Sequence, residues 1–594
     1  MSLLEDASLL LTPNAEKEGK LYSIIPTNGN GDFSVTRATT ATRVNAAGLV
    51  ELVPYNIVQF SEQFDNAAWS KSASSITANS TTAPNGTLTA DTWQGDGTAT
   101  PHRIAPVQAI SVISGTAYTV SCYVQKNTNN FFQFYFLAGQ FGSNAFANFD
   151  VNNGVVGTVG AQATATITDV GNGWYRCSMT STAISTAASG VNFTLITSAT
   201  ATRNETNSLA TSVFLWGAQF VEGASALDYQ MTETRLNIPR LDYSLGSCPN
   251  ILLEPQRTNL ALRSEEFDNA AWTKSTTSVT ANSTTSPSGI LNADSLTGLG
   301  GAASTRTLQS GSISATSGTA YTATFYAKKD TNNFIQIFTT STFGGMFANF
   351  DLNNGVVGTV GTITGSNPTS SITNVGNGWY RCTMTLTSVS TGSGSFGVYL
   401  VSSASAVRNE QNTLSTSVFL WGAQLEAGAY ATSYIPTTSA SVTRNLDVVQ
   451  KTGVSSLIGQ TEGTLYWEGT LTSGLDDLFY LNRSTTNSVF IYKNSTNLIV
   501  FRVNYGGSFI SINNATAYTG TIKIAAAYKS GDSVLYINGV QAATSATAFT
   551  FTGALTDVVL NNTAYLFGNQ TKNVKTAALF PNRLTNAQLA ALTA

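Results

Sequence analysis

Charge is scarce in this chain. Asp, Glu, Lys and Arg make up 10% of its 594 residues, against about 25% in ordinary soluble proteins. There is no run of Lys and Arg, and the formal net charge is −4. A phosphate backbone is held by clustered basic residues, so nucleic acid is not an expected partner. The sequence has one histidine, His102, and four cysteines, with no Cys/His spacing that suits a metal. It has no Gly-x-Ser-x-Gly elbow, no phosphate-binding glycine loop and no zinc-protease motif. No apolar run reaches the length of a membrane span. Leu9-Leu10-Leu11 follows Glu5 and Asp6 and is too short for a secretory signal. Synthesis in a cytoplasm without a signal peptide is expected, with no membrane insertion and no resident cofactor.

Thr, Ser, Asn and Gly fill the polar positions instead, a neutral hydrogen-bonding surface typical of β-rich extracellular or virion proteins. The dominant feature is a duplication. Phe64-Asp-Asn-Ala-Ala-Trp69 returns at residues 267–272. Phe146 to Gly160 returns from Phe347 with one change, Val151 to Leu352. Val170-Gly-Asn-Gly-Trp-Tyr-Arg-Cys177 returns at Val375, and Thr211-Ser-Val-Phe-Leu-Trp-Gly-Ala-Gln219 at Thr416. A period near 200 is a whole domain and far exceeds a solenoid unit. The expected organisation is an N-terminal attachment segment (1–53), module one (54–230), a connector (231–263), module two (264–440) and a last domain (441–594). The segment 1–53 is too small to bury its own core. It is expected to dock on a later part of this chain, a sister chain or a larger assembly.

Strands in both modules show period-two alternation between Gly, Asn and Ser clusters. One face of 118–126 carries Tyr118, Val120, Cys122 and Val124, matched by Tyr321, Ala323, Phe325 and Ala327. Phe132 and Phe134 are matched by Ile335 and Ile337. Aliphatic and aromatic residues exchange there, so these are core faces. A position where Cys122 answers Phe325 is a packing position, and all four cysteines read as buried or incidental thiols. Trp69, Trp174 and Trp216 recur as Trp272, Trp379 and Trp421 and read as core anchors. The Gly-Asn-Gly-Trp turns leave outward presentation of Trp174 and Trp379 as an alternative.

The opposite face carries the candidate site. Phe131, Gln133 and Tyr135 are matched by Phe334, Gln336 and Phe338, and Tyr123 and Tyr326 are expected on the same outer face. Aromatic rings stack on the apolar faces of sugar rings, and amides bond hydroxyls. These eight residues are the candidate carbohydrate contacts. The alternatives are that the row packs on a neighbouring domain or sister chain, or lines the inside of a sandwich.

The stretches Thr-Arg-Ala-Thr-Thr-Ala-Thr-Arg-Val-Asn (36–45), Gly-Leu-Val-Glu (48–51), Pro-Arg-Leu-Asp-Tyr (239–243) and Leu-Leu-Glu-Pro-Gln-Arg-Thr-Asn-Leu (252–260) resemble tailed-phage virion proteins of the fibre type. In such proteins the two halves follow closely, whereas here module one stands between them. Strands near 33–53 and 240–254 are therefore expected to pair and hold the base of an inserted module. The modules look like carbohydrate-binding-module jelly rolls. Residues 450–594, with Ala-Ala-Tyr (526–528), Leu-Tyr-Ile-Asn-Gly-Val (535–540) and a closing helix near Leu584 to Leu592, are similar to concanavalin A-like, laminin-G-type sandwiches. The fold class is all-β: two tandem jelly-roll modules and a C-terminal sandwich.

The resemblance implies a non-enzymatic virion surface protein, a tail or head fibre or spike. It would attach to other virion proteins through its N-terminal segment and adhere to host-surface glycans. Such fibres are commonly trimeric, so a homo-oligomer is expected. A second reading is a purely structural capsid or tail decoration. A third, a polysaccharide depolymerase, needs two carboxylates across a cleft. The duplicated acids Asp65/Asp268, Asp150/Asp351 and Glu205/Glu410 are the candidates, with turn capping the preferred reading. Glu222 and Glu426 read as polar rim residues, and His102 as a solvated loop residue aligned with Thr305. Some sandwiches of the last type bind calcium at a rim. Asp476-Asp477 is where ligands would come from, against a solvated loop.

Overall fold

The computed structural model describes residues 3–482, 484–562 and 570–594. The chain forms two compact units, one of residues 54–236 and one of 1–53 with 237–594.

The unit 54–236 is a two-sheet jelly-roll sandwich. One sheet runs Val155–Val159, Phe146–Asp150, Phe131–Phe136, Val191–Leu195, His102–Pro106, Trp69–Ser72. The other runs Thr164–Gly171, Trp174–Thr182, Ala117–Lys126, Ser212–Glu222, Ala90–Gly95, Ser74–Thr81. Alternation puts Tyr118, Val120, Cys122, Val124, Phe132 and Phe134 into one core between the sheets. Cys122 and Cys177 face each other across neighbouring strands as free buried thiols, and Cys248 is exposed. Trp69 and Trp174 are buried, their indole N–H groups donating to the Phe60 and Thr82 carbonyls. Trp379 likewise donates to the Thr285 carbonyl. Both rings are buried, yet Trp174, Trp216, Trp379 and Trp421 lie outside the sandwich cores, in separate clusters on the outer side of their sheets. Of the anchors expected in the core, only Trp69 and Trp272 are found there.

In the other unit, residues 272–427 repeat both sheets strand for strand. Its second body is the C-terminal sandwich. Asn538 and Gly539, both at positive φ, turn Ser533–Ile537 into Val540–Ser545. The helix Asn586–Thr593 starts with a capping box of Thr585 and Gln588.

The N-terminal segment is part of this sandwich. Leu9–Leu11 pairs with Lys572–Phe580, and Phe33–Thr36 pairs with Val448–Lys451. Leu9, Leu11, Leu21, Phe33 and Val35 lie in the core with Trp467 and Phe501. Of the three docking places expected for it, a later part of this chain is the one found. The pairing expected between 33–53 and 240–254 is formed only in part: no strand ladder joins them, but the Tyr243 N–H donates to the Val44 carbonyl at 2.9 Å and the Val44 N–H to Asp242 at 2.7 Å. Asn250–Leu253 joins the sheet of Lys572–Phe580, whereas Phe33–Thr36 joins the opposite sheet. Each strand follows its own apolar residues into a different side of one core. Residues 41–53 form a separate hairpin, Ala41–Val44 with Val50–Val53.

Three motif residues, Arg37, Arg240 and Glu254, meet Arg444 and Asp447 in a buried ionic hub. Arg37 reaches Asp447 at 2.7 Å, and Arg240 bridges Asp447 and Glu254, the latter at 2.6 Å. Arg444 reaches Glu254 at 2.7 Å. All five side chains are at most 3% exposed. Burial alone would raise both acids, but the surrounding arginines outweigh it and hold Glu254 and Asp447 below the usual carboxylate range.

Candidate functional site

Phe131–Phe136 is a central strand of its sheet. Its inward residues, Phe132, Phe134 and Phe136, are fully buried. Its outward residues Phe131, Gln133 and Tyr135 stand opposite Asp150, Asn148 and Phe146 of the neighbouring strand. A loop over residues 196–209 lies across this face. Gln133 donates to Asn148 at 2.6 Å and to the Thr202 carbonyl at 3.1 Å, and its Oε1 accepts from the Asn204 N–H at 2.7 Å. Asn148 donates to the Ala199 and Ala201 carbonyls. Module two repeats the clamp with Gln336, Asn349, Val407 and Asn409.

Gln133 and Gln336 are therefore wholly buried. Their amides satisfy an overlying loop and offer nothing to a ligand, which corrects their expected role. Tyr135 is 3% exposed: Arg203 lies 4.4 Å over its ring, and its hydroxyl meets Arg103 and Asn204 at 3.2 Å each. Phe338 is also buried, stacked on Tyr399 with centroids 3.9 Å apart. The row is covered by the module's own loop. Phe131 and Phe334 stay half-exposed.

Tyr123 and Tyr326 are not on this face. The turn at 127–130 bonds to Ser212 and carries the chain into the opposite sheet, so Ala117–Lys126 and Phe131–Phe136 make no hairpin. Tyr123 packs edge-on against Trp216 at 5.2 Å and Tyr229 at 6.0 Å, with Arg176 5.5 Å from its ring. Tyr326 does the same with Trp421, Tyr434 and Arg381. The eight candidates thus fall on two opposite faces of each module.

The half-exposed groups beside the loop are Phe131, Phe146, Arg103, Arg203 and Asn204 in module one, and Phe334, Phe347, Arg408 and Asn409 in module two. Desolvation lowers the Arg203 pKa, partly offset by Tyr135. The set combines phenyl surface with guanidinium and amide groups, which suits a polyhydroxylated ligand. The arginines were not singled out from sequence. Arg-Asn-Glu at 203–205 and again at 408–410, in a chain so poor in charge, is the signal that marks them.

Most of the other polar candidates have structural duties. Asp150 accepts from the Asn152 and Asn153 N–H groups at 3.0 Å, and Asp351 does the same for Asn353 and Asn354. Glu205 and Glu410 clamp Thr197 and Ser402. Asp65 and Asp268 are exposed. Glu426 is no rim residue: fully buried, it accepts from Gln424 and Thr432. Asp476 and Asp477 begin a strand and are buried, with Lys572 3.0 Å from Asp476, so the solvated-loop reading fails. His102 is also fully buried, within a strand, with Nδ1 2.6 Å from the Ala73 carbonyl. Its structural counterpart is Arg306, not Thr305. His102 pairs with Leu195, and the Leu400 N–H donates to the Arg306 carbonyl.

Glu222 belongs to module one alone; Ala427 stands opposite Tyr321 where Glu222 stands opposite Tyr118. Burial pushes its carboxyl up from 4.5 to about 7. The folded state therefore binds more protons than the unfolded chain across that window, and stability falls as pH rises through it. Glu222→Gln is expected to flatten this slope. Urea midpoints for 54–236 at pH 5 and pH 8 test it, and an unchanged slope in the variant refutes it.

The chain matches no family model and no curated protein. Solved structures with some likeness include the CBM40 of the Ruminococcus gnavus IT-sialidase bound to alpha2,6 sialyllactose. It shares 17% identity over 24% of this chain and 87% of that one, at a TM-score of 0.20. A point mutant of the NanB sialidase from Streptococcus pneumoniae shares 15% identity over 24% of this chain and 26% of its own, at 0.20. The tandem CBM22-1-CBM22-2 of Paenibacillus barcinonensis Xyn10C shares 10% over 66% of this chain and 100% of its own, at 0.18. At such scores, the all-β sandwich architecture rests on the chain's own strand pairings.

Proposed function

We propose that this is a non-enzymatic phage virion surface protein that adheres to host-surface glycans. Contact is made through the half-exposed face beside the 196–209 loop and its counterpart in module two. The observation that carries this reading is the repetition of phenyl, guanidinium and amide groups on the same face of both modules: Phe131, Phe146, Arg203 and Asn204, and Phe334, Phe347, Arg408 and Asn409. The virion setting rests on the four motif stretches, of which Arg37, Arg240 and Glu254 take part in the ionic hub with Arg444 and Asp447. Absence of catalysis is supported by the engagement of Asp150, Asp351, Glu205 and Glu410 in loop clamps. In this reading the protein is made in the host cytoplasm and mounted on the particle as a homo-oligomer, with a trimer expected.

The test is retention of the full chain on host envelope polysaccharides and on a glycan array. The double variants Phe131→Ala/Phe334→Ala and Arg203→Ala/Arg408→Ala are run alongside. Loss of a hydrogen bond to a charged group costs about 1.5–3 kcal/mol, so binding is expected to weaken at least about tenfold. A folded chain that retains no glycan, or variants that bind unchanged, would overturn the proposal.

A further inference from the structure

The two modules differ in what lies on their second face. In module two, Tyr326, Trp379, Trp421 and Tyr434 form a buried cluster completed by Val50 and Val44 of the hairpin 41–53. The Val50 N–H donates to the Pro287 carbonyl at 2.9 Å, and Thr42 donates to the Tyr434 carbonyl at 2.5 Å. Leu49 sits against Gly289: a Cβ there would come within 2.8 Å of it.

Module one has the same cluster, Tyr123, Trp174, Trp216 and Tyr229, with matching ring geometry. Among the described residues its cluster holds members of 83–229 alone, with no counterpart of Val44 and Val50. Tyr123 and Tyr229 are half-buried, where Tyr326 and Tyr434 are 4% and 2% exposed. Pro84 is half-buried where Pro287 is buried. A Cβ at Gly86, the counterpart of Gly289, would meet no atom within 4 Å.

We propose that this face of module one is the seat for a β-hairpin of the 41–53 kind supplied by another polypeptide. Such a hairpin has valines on both strands facing the aromatic cluster and a leucine at its tip. The occupant is read from the duplicate: the same cluster, in the same geometry, is filled by such a hairpin in module two. The chain's own hairpin is committed there, because Arg43 pairs with Glu16 and Glu51 and Arg240 donates to the Thr42 carbonyl. A branched aliphatic pair fits edge-on aromatic rings by shape and desolvation, and the proline carbonyl at the turn fixes register. Module two is then the copy that closes its own chain, and module one the copy that joins a neighbour. This stands independently of glycan binding, which was placed on the opposite face.

The probe is a backbone-cyclised peptide of residues 41–53, titrated into the full chain by calorimetry. One saturable site per chain is expected. Gly86→Asn keeps a residue type that tolerates positive φ and places a side chain where Leu49 lies in module two. It should weaken binding at least about tenfold, with the melting curve unchanged. A peptide carrying Val44→Asp and Val50→Asp should not bind, a control that leaves the chain's fold untouched. The proposal fails if the folded chain shows no saturable binding or if Gly86→Asn has no effect. It fails also if sedimentation shows a dimer that Gly86→Asn disperses, which would make a second copy the occupant, or if envelope glycan competes with the peptide.

Discussion

Replacing Glu254 with Gln is expected to destabilise the unit of 1–53 and 237–594 by about 3–5 kcal/mol, the usual consequence of removing one partner from a buried ion network. Glu254 accepts from Arg240 at 2.6 Å, lies 2.7 Å from Arg444, and takes the Ser433 N–H at 2.7 Å. Without its charge, Arg37, Arg240 and Arg444 share Asp447 alone, all of them buried. The pH dependence has a definite sign. Both acids are depressed in the folded state, so their contribution is complete above the ordinary carboxylate range and is lost as pH falls below it. Urea unfolding at pH 7 should show the full loss, and acid should destabilise the parent chain more than the variant. A loss below about 1 kcal/mol, the ceiling for exposed pairs, would mean the hub is solvated and the reading is wrong.

A fragment of residues 441–594 is expected not to fold, although the sequence marks it as a domain. Leu9, Leu11, Leu21, Phe33, Val35, Ile251 and Leu253 all lie in its core and all come from outside it. Burying a large apolar side chain contributes about 1.5–3 kcal/mol. Losing seven removes on the order of 10–20 kcal/mol, as much as the whole stability of a typical domain, about 5–15 kcal/mol. Lys572–Phe580 would also lose its pairing with Leu9–Leu11 and Asn250–Leu253, leaving a hydrophobic strand edge open to aggregation. By contrast, 54–236 holds its own core and should fold alone. Calorimetry of the two fragments decides this. A cooperative transition from 441–594 would show that the N-terminal strands are dispensable.

The corrections share one cause. Alternation in 118–126 and 131–136 assigned inward and outward faces properly, because side-chain direction along a strand is local. It did not show that the two strands enter different sheets, since that depends on the turn at 127–130 bonding to Ser212, more than 80 residues away. Matching the two copies letter by letter sets His102 against Thr305, where strand register sets it against Arg306. The motif stretches are legible as text, but nothing in the spacing of Arg37, Arg240 and Glu254 says that they meet one another, or Arg444 and Asp447.

By itself, then, the sequence determined the all-β class, the duplication, the strand core faces and the closing helix. Each follows from residue order over a few positions, or from comparing two copies of one text. The tertiary structure decided which face is covered, where the N-terminal strands go, and that Gln133 and Gln336 hold a loop. Those outcomes depend on contacts between residues far apart in the chain, whose energies are set by burial and hydrogen-bond satisfaction after the sheets have closed.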